Sequence, residues 1–228
     1  MLTAIIVAGG SSQRMGFDKT FALLGGKPVI AHSIAAFEAS DSVSEIILVG
    51  RAEKLAELEE IVRAENFRKV ARIIAGGARR QDSVTCGLGV LSDAVTFVAV
   101  HDAARPLIRP ELIERVYQLA REHGGSATAA PVVDTLKRAD DQDRVTGGVA
   151  RAGLFAVQTP QIFRRDLIEE AYRAVAAAGA EITDDISALE CIQGQVVLLP
   201  NDQPNFKITY PTDLSVGEIL LTRSRNQL

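Results

Sequence analysis

Apolar residues along the first ~130 positions of this chain come in short blocks separated by longer amphipathic stretches. The blocks 4–8, 45–50, 70–75 and 96–100 are five or six residues long and bounded by glycine or polar positions. Runs of that length predict strands buried on both faces. Between them, 28–39, 52–65 and 80–91 read as helices, and a fourth spans 110–123. Pro28 opens the first of these helices and Pro110 the fourth, at the first-turn position where a missing N–H costs nothing. Strands alternating with helices imply βαβ crossovers and a mostly parallel sheet. Ligands bind such sheets beyond the carboxyl ends of the strands. The loops 9–19, 76–83 and 101–105 are therefore expected at one rim.

After 127–133 the pattern changes. Residues 134–151 carry short polar strands around a charged turn, 138–144, which cannot belong to a core. A protruding β-arm is predicted, with apolar residues resuming on both sides. It is either a solvated loop or a grip on a second subunit, and the flanking apolar residues favour the grip. Helices follow at 165–178 and 184–193, then a strand 196–199, a short strand 206–209 and a last helix opened by Pro211. No internal repeat is present, and 1–228 reads as a single domain.

The first loop holds the most informative chemistry. Strand 4–8 runs into Gly9, Gly10, Ser11 and Ser12, and Arg14 and Lys19 follow. Glycines let backbone N–H groups approach a ligand closely, and a row of such dipoles with two cations suits a nucleotide's phosphate chain. The spacing matches neither the P-loop nor the dinucleotide G-x-G-x-x-G fingerprint. Gly76, Gly77 and Ser83 repeat the logic in a second loop. Asp102, after the fourth strand, can hold a sugar hydroxyl or a hydrated Mg²⁺. Thr183 precedes Asp184 and Asp185 where a helix opens, so capping is the plain reading there. Lys207 sits in an otherwise apolar strand-like run, where an ammonium needs an anionic partner.

Composition narrows the class. With 228 residues and 47% apolar content the chain has ample material for a core. A net charge of −4 argues against a nucleic-acid surface, which is basic across a face. Anion binding must then come from local cation placement. Cys86 and Cys191 lack metal or redox spacing and are expected to be buried free thiols, while His32, His101 and His123 are too scattered for a zinc site. No apolar run reaches the ~18 residues of a membrane span, and no leader pattern precedes the first strand, so a cytoplasmic protein is expected.

Seven segments, taken in order, carry a family resemblance: AIIVAGGSSQRMG, GGARRQDSV, VHDAARP, PVVDTLKR, QTPQIF, ITDDISALE and NFKITYPTDL. They resemble the 2-C-methyl-D-erythritol 4-phosphate cytidylyltransferases over nearly the whole chain. The resemblance implies a Rossmann-like α/β nucleotidyltransferase that joins CTP to methylerythritol phosphate with release of pyrophosphate. It also implies Mg²⁺, carried mainly by the CTP phosphates, and a homodimer with interlocked arms. Arg14 and Lys19 would clamp the CTP phosphates. Ala8, Gly9, Gly10, Gly77 and Ser83 would hold cytosine and ribose. Asp102, Arg105, Thr135, Arg151, Thr183 and Lys207 would form the methylerythritol phosphate pocket, some of them donated by the partner's arm. Two departures stand out: the loop before Lys19 is shorter than in the family, and Ala78 occupies a position often acidic there.

The implied chemistry needs no general base, because a phosphate monoester is largely dianionic at neutral pH, with a second pKa of about 6. The difficulty is bringing anions together, at about 4 kcal/mol per unit-charge pair ~4 Å apart in a dielectric of about 20. Arg14, Lys19, Lys207 and Mg²⁺ would offset that. Ribitol 5-phosphate cytidylyltransferase is the nearest alternative. A sugar transferase would carry an Asp-x-Asp motif where His101-Asp102-Ala103 stands. A non-catalytic nucleotide sensor would be expected to lack one of the three cations.

Overall fold

The computed structural model describes residues 1–10 and 18–225. Its strands are β1 (Leu2–Val7), β2 (Leu23–Leu24), β3 (Lys27–Pro28), β4 (Val43–Gly50), β5 (Val70–Ala75), β6 (Phe97–Asp102), β7 (Gly125–Pro131), β8 (Leu136–Ala139), β9 (Val145–Val149), β10 (Phe155–Arg164) and β11 (Val197–Pro200). The helices are α1 (Val29–Ala39), α2 (Leu55–Ala64), α3 (Arg80–Leu88), α4 (Pro110–His123), α5 (Arg165–Ala178), α6 (Asp185–Glu190) and α7 (Pro211–Arg225).

Seven strands form one sheet in the order β11-β7-β10-β6-β1-β4-β5. All neighbours run parallel except β10, which is antiparallel to both β6 and β7. Every residue of β1 is buried, as its unbroken apolar run requires. Alternation splits the strand between two cores. Leu2, Ala4 and Ile6 pack with residues of α1, α2 and α4, whereas Ile5 and Val7 pack with α3, α5 and α6. Fully burying such a side chain contributes at most ~1.5–3 kcal/mol. The helix–sheet approach is close: a Cβ on Gly87 of α3 would lie 2.7 Å from Ile5 Cγ2. Helix α4 shows its signals plainly, with Pro110 in the first turn, Arg121 and His123 in the last, and Gly124 closing it at φ +84°.

Register sets the rim. Val7 lies opposite both Val49 and Asp102, and Gly50 lies opposite Ala75. The four parallel strands thus end level, which brings Ala8, Arg51, Gly76 and Ala103 out side by side. The arm forms as expected: β8 and β9 pair into their own two-stranded sheet. Asp140 closes its charged turn, accepting from the Gln142 and Arg144 backbone N–H groups, each at 3.0 Å.

Several expectations need correction. Residues 206–209 are extended but pair with no strand; the segment is instead strapped across the loop after β6, with Ile208 N–H donating to the Ala104 carbonyl at 2.8 Å. Cys191 is exposed, since α6 is shorter than 184–193 and ends just before it, and Cys86 is only half-buried. Strand β10 is missing from the sequence pattern, because Pro160 and two glutamines interrupt its apolar run; the Thr159–Pro160 bond is cis. Pro28 is the residue before α1 rather than its first, and 80–91 ends as a helix at Leu88. Among the described residues, no helix is long and apolar enough to cross a membrane.

Candidate active site

Three segments converge where the parallel strands end. Ala8 is buried, its N–H donating to the Val49 carbonyl at 2.8 Å, which carries the chain over the sheet edge. Gly9 faces the second loop, where a Cβ would lie 3.3 Å from Ser83 Oγ; Gly10 is exposed and open on its side-chain face. Ser83 is buried, and its hydroxyl donates to the Arg79 carbonyl at 3.2 Å. Gly77 stands so close to Asp82 that a Cβ would be 2.4 Å from its Cβ. The expected nucleoside-holding residues are therefore gathered in one cradle of small side chains.

Arg14 lies outside the described residues. Lys19 is partly buried, in a turn that Asp18 organises. The Asp18 carboxylate accepts from the Thr20 N–H at 3.1 Å and pairs with Arg51, the first residue after β4. That ion pair ties Asp18 to the end of the neighbouring strand.

Asp102 is the centre of the second half. It is 6% exposed, and cations from three separate segments surround its carboxylate. Arg80 Nε donates to Oδ1 at 3.0 Å and Lys207 Nζ to Oδ2 at 2.8 Å, with Arg105 Nε 3.7 Å from Oδ2. Burial disfavours the charged carboxylate, but Arg80, Lys207 and Arg105 together outweigh it and hold the group well below the usual carboxylate range. Burial also opposes the Arg80 charge, and Asp185 and Asp102 more than compensate. Three cations against Asp102 and Asp185 leave one net positive charge, an arrangement suited to a phosphate.

Lys207 reaches Asp102 through a built strap. Arg105 Nη1 donates to the Asn205 carbonyl at 2.8 Å, and Asn205 Nδ2 donates to the Thr159 carbonyl at 2.9 Å. The Lys207 side chain is 40% exposed, so it is not the sequestered strand lysine the sequence suggested; its head is free to face a ligand while paired. Its partner in the free protein is Asp102 itself.

His101 is fully buried against Phe37, with ring centroids 4.9 Å apart. The Arg105 carbonyl can only accept, so His101 Nε2 carries the ring hydrogen and Nδ1 accepts from the Thr159 hydroxyl at 3.1 Å, while Thr159 Oγ1 also accepts the Asp102 N–H at 3.0 Å. This assigns the Nε2–H tautomer, donating to the Arg105 carbonyl at 3.3 Å. Burial pushes the imidazole pKa down to about 3, so it is neutral and structural at neutral pH.

The other expected residues stand outside the Asp102 ion-pair cluster, with Thr183 two residues before Asp185, whose carboxylate grips Arg80. Thr183 is exposed, 3.4 Å from the Ser187 hydroxyl beside α6. Thr135 and Arg151 are exposed at the base of the arm, where the Arg151 guanidinium donates to the Val133 carbonyl. Sequence reasoning missed Arg80, Asp185 and Thr159 as parts of the site. An arginine opening a helix beside a glycine pair was the one available signal.

The described residues build no metal cage of their own around Asp102, the carboxylate that the sequence offered for Mg²⁺. Both Asp102 oxygens are already taken by cations, and the described residues offer no cluster of three His, Cys, Asp or Glu side chains.

A mostly parallel sheet with a glycine-lined cradle and a cationic cluster at its carboxyl rim defines a nucleotidyltransferase. Over residues 2–223 the sequence matches the family described as IspD, 2-C-methyl-D-erythritol 4-phosphate cytidylyltransferase, and the chain belongs to it. The enzyme of that name from Dehalococcoides mccartyi (strain CBDB1) is 42% identical over 223 residues, 97% of this chain and 96% of its own. A crystal structure of 4-diphosphocytidyl-2C-methyl-D-erythritol synthase from Anaerococcus prevotii DSM 20548 matches with a TM-score of 0.85 at 28% identity, covering 97% and 98% of the two chains. The Thermus thermophilus 2-C-methyl-D-erythritol 4-phosphate cytidylyltransferase matches with a TM-score of 0.79 at 29% identity, covering 96% and 98%.

Proposed function

We propose that the two halves of the rim divide the family's reaction between them. That reaction transfers CMP from CTP to 2-C-methyl-D-erythritol 4-phosphate, giving 4-diphosphocytidyl-2-C-methyl-D-erythritol and pyrophosphate, a step of non-mevalonate isoprenoid synthesis. The matches favour methylerythritol phosphate over ribitol 5-phosphate as the acceptor. Ala8, Gly9, Gly10, Gly77 and Ser83 take the nucleoside, a cytidine in this reading. Arg14 and Lys19 meet the triphosphate. Asp102, Arg105, Thr183 and Lys207 take the alcohol phosphate, with Lys207 on the attacking phosphate and Asp102 on a hydroxyl.

The observation that carries this reading is the Asp102 cluster, whose single excess positive charge and half-open lysine await an anion. The acceptor phosphate attacks the α-phosphorus while pyrophosphate leaves. Fixed cations lower the repulsion and stabilise the charge that builds in the transition state. A divalent ion, in this reading, arrives on the triphosphate rather than on Asp102.

We also propose a homodimer. Val133 and Val145 are 75% and 67% exposed on and beside the arm, and Thr135 and Arg151 lie there with them. A partner's arm would cover the valines and carry Thr135 and Arg151 to the neighbouring pocket. Both substrates are multiply charged phosphates, which supports a cytoplasmic location alongside them. Pyrophosphate release tests the assignment, with CTP against ATP, GTP and UTP, and methylerythritol phosphate against ribitol 5-phosphate. Equal turnover with a purine triphosphate overturns the cradle's role.

A further inference from the structure

Arg80 makes contacts that the division of roles above leaves unused. It opens α3, and its guanidinium reaches carboxylates on two other elements. Nε donates to Asp102 Oδ1 at 3.0 Å, while Nη1 and Nη2 fork onto Asp185 at 3.2 and 2.7 Å. Asp185 is fully buried and held from further sides: its Oδ1 accepts the Tyr172 hydroxyl at 2.5 Å, and its N–H donates to Gln161 Oε1 at 3.0 Å. A guanidinium gripped in this way has little freedom, because its donors form a planar fork.

We propose that Arg80, clamped by Asp185 and Tyr172, is a positioning residue for the alcohol phosphate half of the reaction. It holds Asp102 by one oxygen and turns the other toward Lys207. This rests on the assignment of Asp102 and Lys207 to that half. A carboxylate bound by a single cation can rotate about its Cβ–Cγ bond, and one gripped at both oxygens cannot. Asp185 has a second effect. It neutralises most of the Arg80 charge, so that Asp102 is not drawn wholly onto Arg80 and keeps its remaining charge for Lys207 and a substrate hydroxyl. Without Asp185 the cluster would carry one more positive charge, and Arg80 would compete with both.

The test is steady-state kinetics in both substrates, with CTP binding measured by calorimetry, on Arg80→Gln, Asp185→Asn, their double variant and Tyr172→Phe. Arg80→Gln and Asp185→Asn should each raise KM for methylerythritol phosphate and lower kcat, together by on the order of 10–10²-fold, as for a misplaced reacting group. CTP affinity should stay within about threefold of wild type in both, since uniform loss is not expected. The double variant should lose no more than the worse single one, because Asp185 acts through Arg80. Tyr172→Phe should move the same constants less. Arg80→Lys should remain impaired, as it keeps the charge and loses the fork. If Asp185→Asn does not fold, the Arg80 and Tyr172 variants carry the same test. Variants that melt earlier yet keep both kinetic constants per folded enzyme overturn the proposal, as does a collapse of CTP affinity with KM for the alcohol phosphate unmoved. A wild-type enzyme that turns over CTP with another acceptor overturns the underlying assignment instead, and the wild-type control distinguishes the two.

Discussion

The rim and the arm use the same residue types in opposite surroundings. At the rim, Asp102 is buried and receives Arg80, Arg105 and Lys207 from three separate segments. On the arm, Asp140 accepts from the Gln142 and Arg144 backbone and pairs with the Arg144 guanidinium, four residues on, in a turn open to solvent. Water and salt screen the second pair and do little to the first. Burial away from water strengthens the interactions among these charges, and their one excess positive charge is what a reaction between phosphates needs. The arm pair merely closes a turn. Its neighbours Val133 and Val145 are exposed, and they are what the proposed partner's arm would cover.

The largest effect that would break this contrast is at Lys207. Lys207→Ala should lower kcat/KM by ~10²–10³, as for other lost electrostatic contacts to a transition state, with KM for the alcohol phosphate rising and CTP binding little changed. Near-normal turnover would show that the cationic cluster does not face the reaction. The arm comes next. Arg151→Ala should lower activity by less than Lys207→Ala, yet mixing it with Lys207→Ala subunits should restore part of the activity, because one heterodimer site would be intact. Mixed dimers without recovery would put both residues in one chain's site.

Acid sensitivity sharpens the contrast further. The folded-state pKa of His101 is about 3 against an ordinary 6.5, so its contribution is complete above pH 6.5. As pH falls from there toward 3, the unfolded chain takes up a proton that the folded one refuses, costing about 1.4 kcal/mol per pH unit. Asp102, whose pKa is depressed, removes further stability below the usual carboxylate range. Urea unfolding at pH 7.5, 6 and 5 should show this slope, and His101→Gln should flatten it above the carboxylate range. The same slope in the variant would mean the imidazole is not the cause. The smallest effect is Gly124→Ala, where a left-handed backbone at φ +84° costs a side chain about 1 kcal/mol. A thermal melt would show it, with kinetic constants unchanged because α4 ends away from the rim.

Much of the scaffold was readable before any coordinates. Strand β1 announced itself by an apolar run ending in two glycines, and α5 fell where its spacing put it, Arg165–Ala178. Gly9, Gly10 and the loops 76–83 and 101–105, the described parts of what was expected at one rim, are there because parallel strands of similar length end together. Strand β10 escaped, since Pro160 and the glutamines around it hide an apolar pattern that only pairing with β6 and β7 stabilises. The segment around Lys207 looked like a strand and is a strap, because extended backbone shows the same alternation whether it bonds to a sheet or to one loop carbonyl.

By itself, the sequence determined most of the strands and helices, which loops carry glycines and cations, and, through seven ordered motifs, the family. Local spacing encodes those properties, since periodicity follows from which face of an element meets the core. Only the tertiary structure decided which charges meet. Asp102 lies 22 residues from Arg80 and 105 from Lys207, and Asp185 lies 105 from Arg80. Strand order and register close those separations, and the energy of an ion pair depends on distance and burial, neither of which spacing along the chain records.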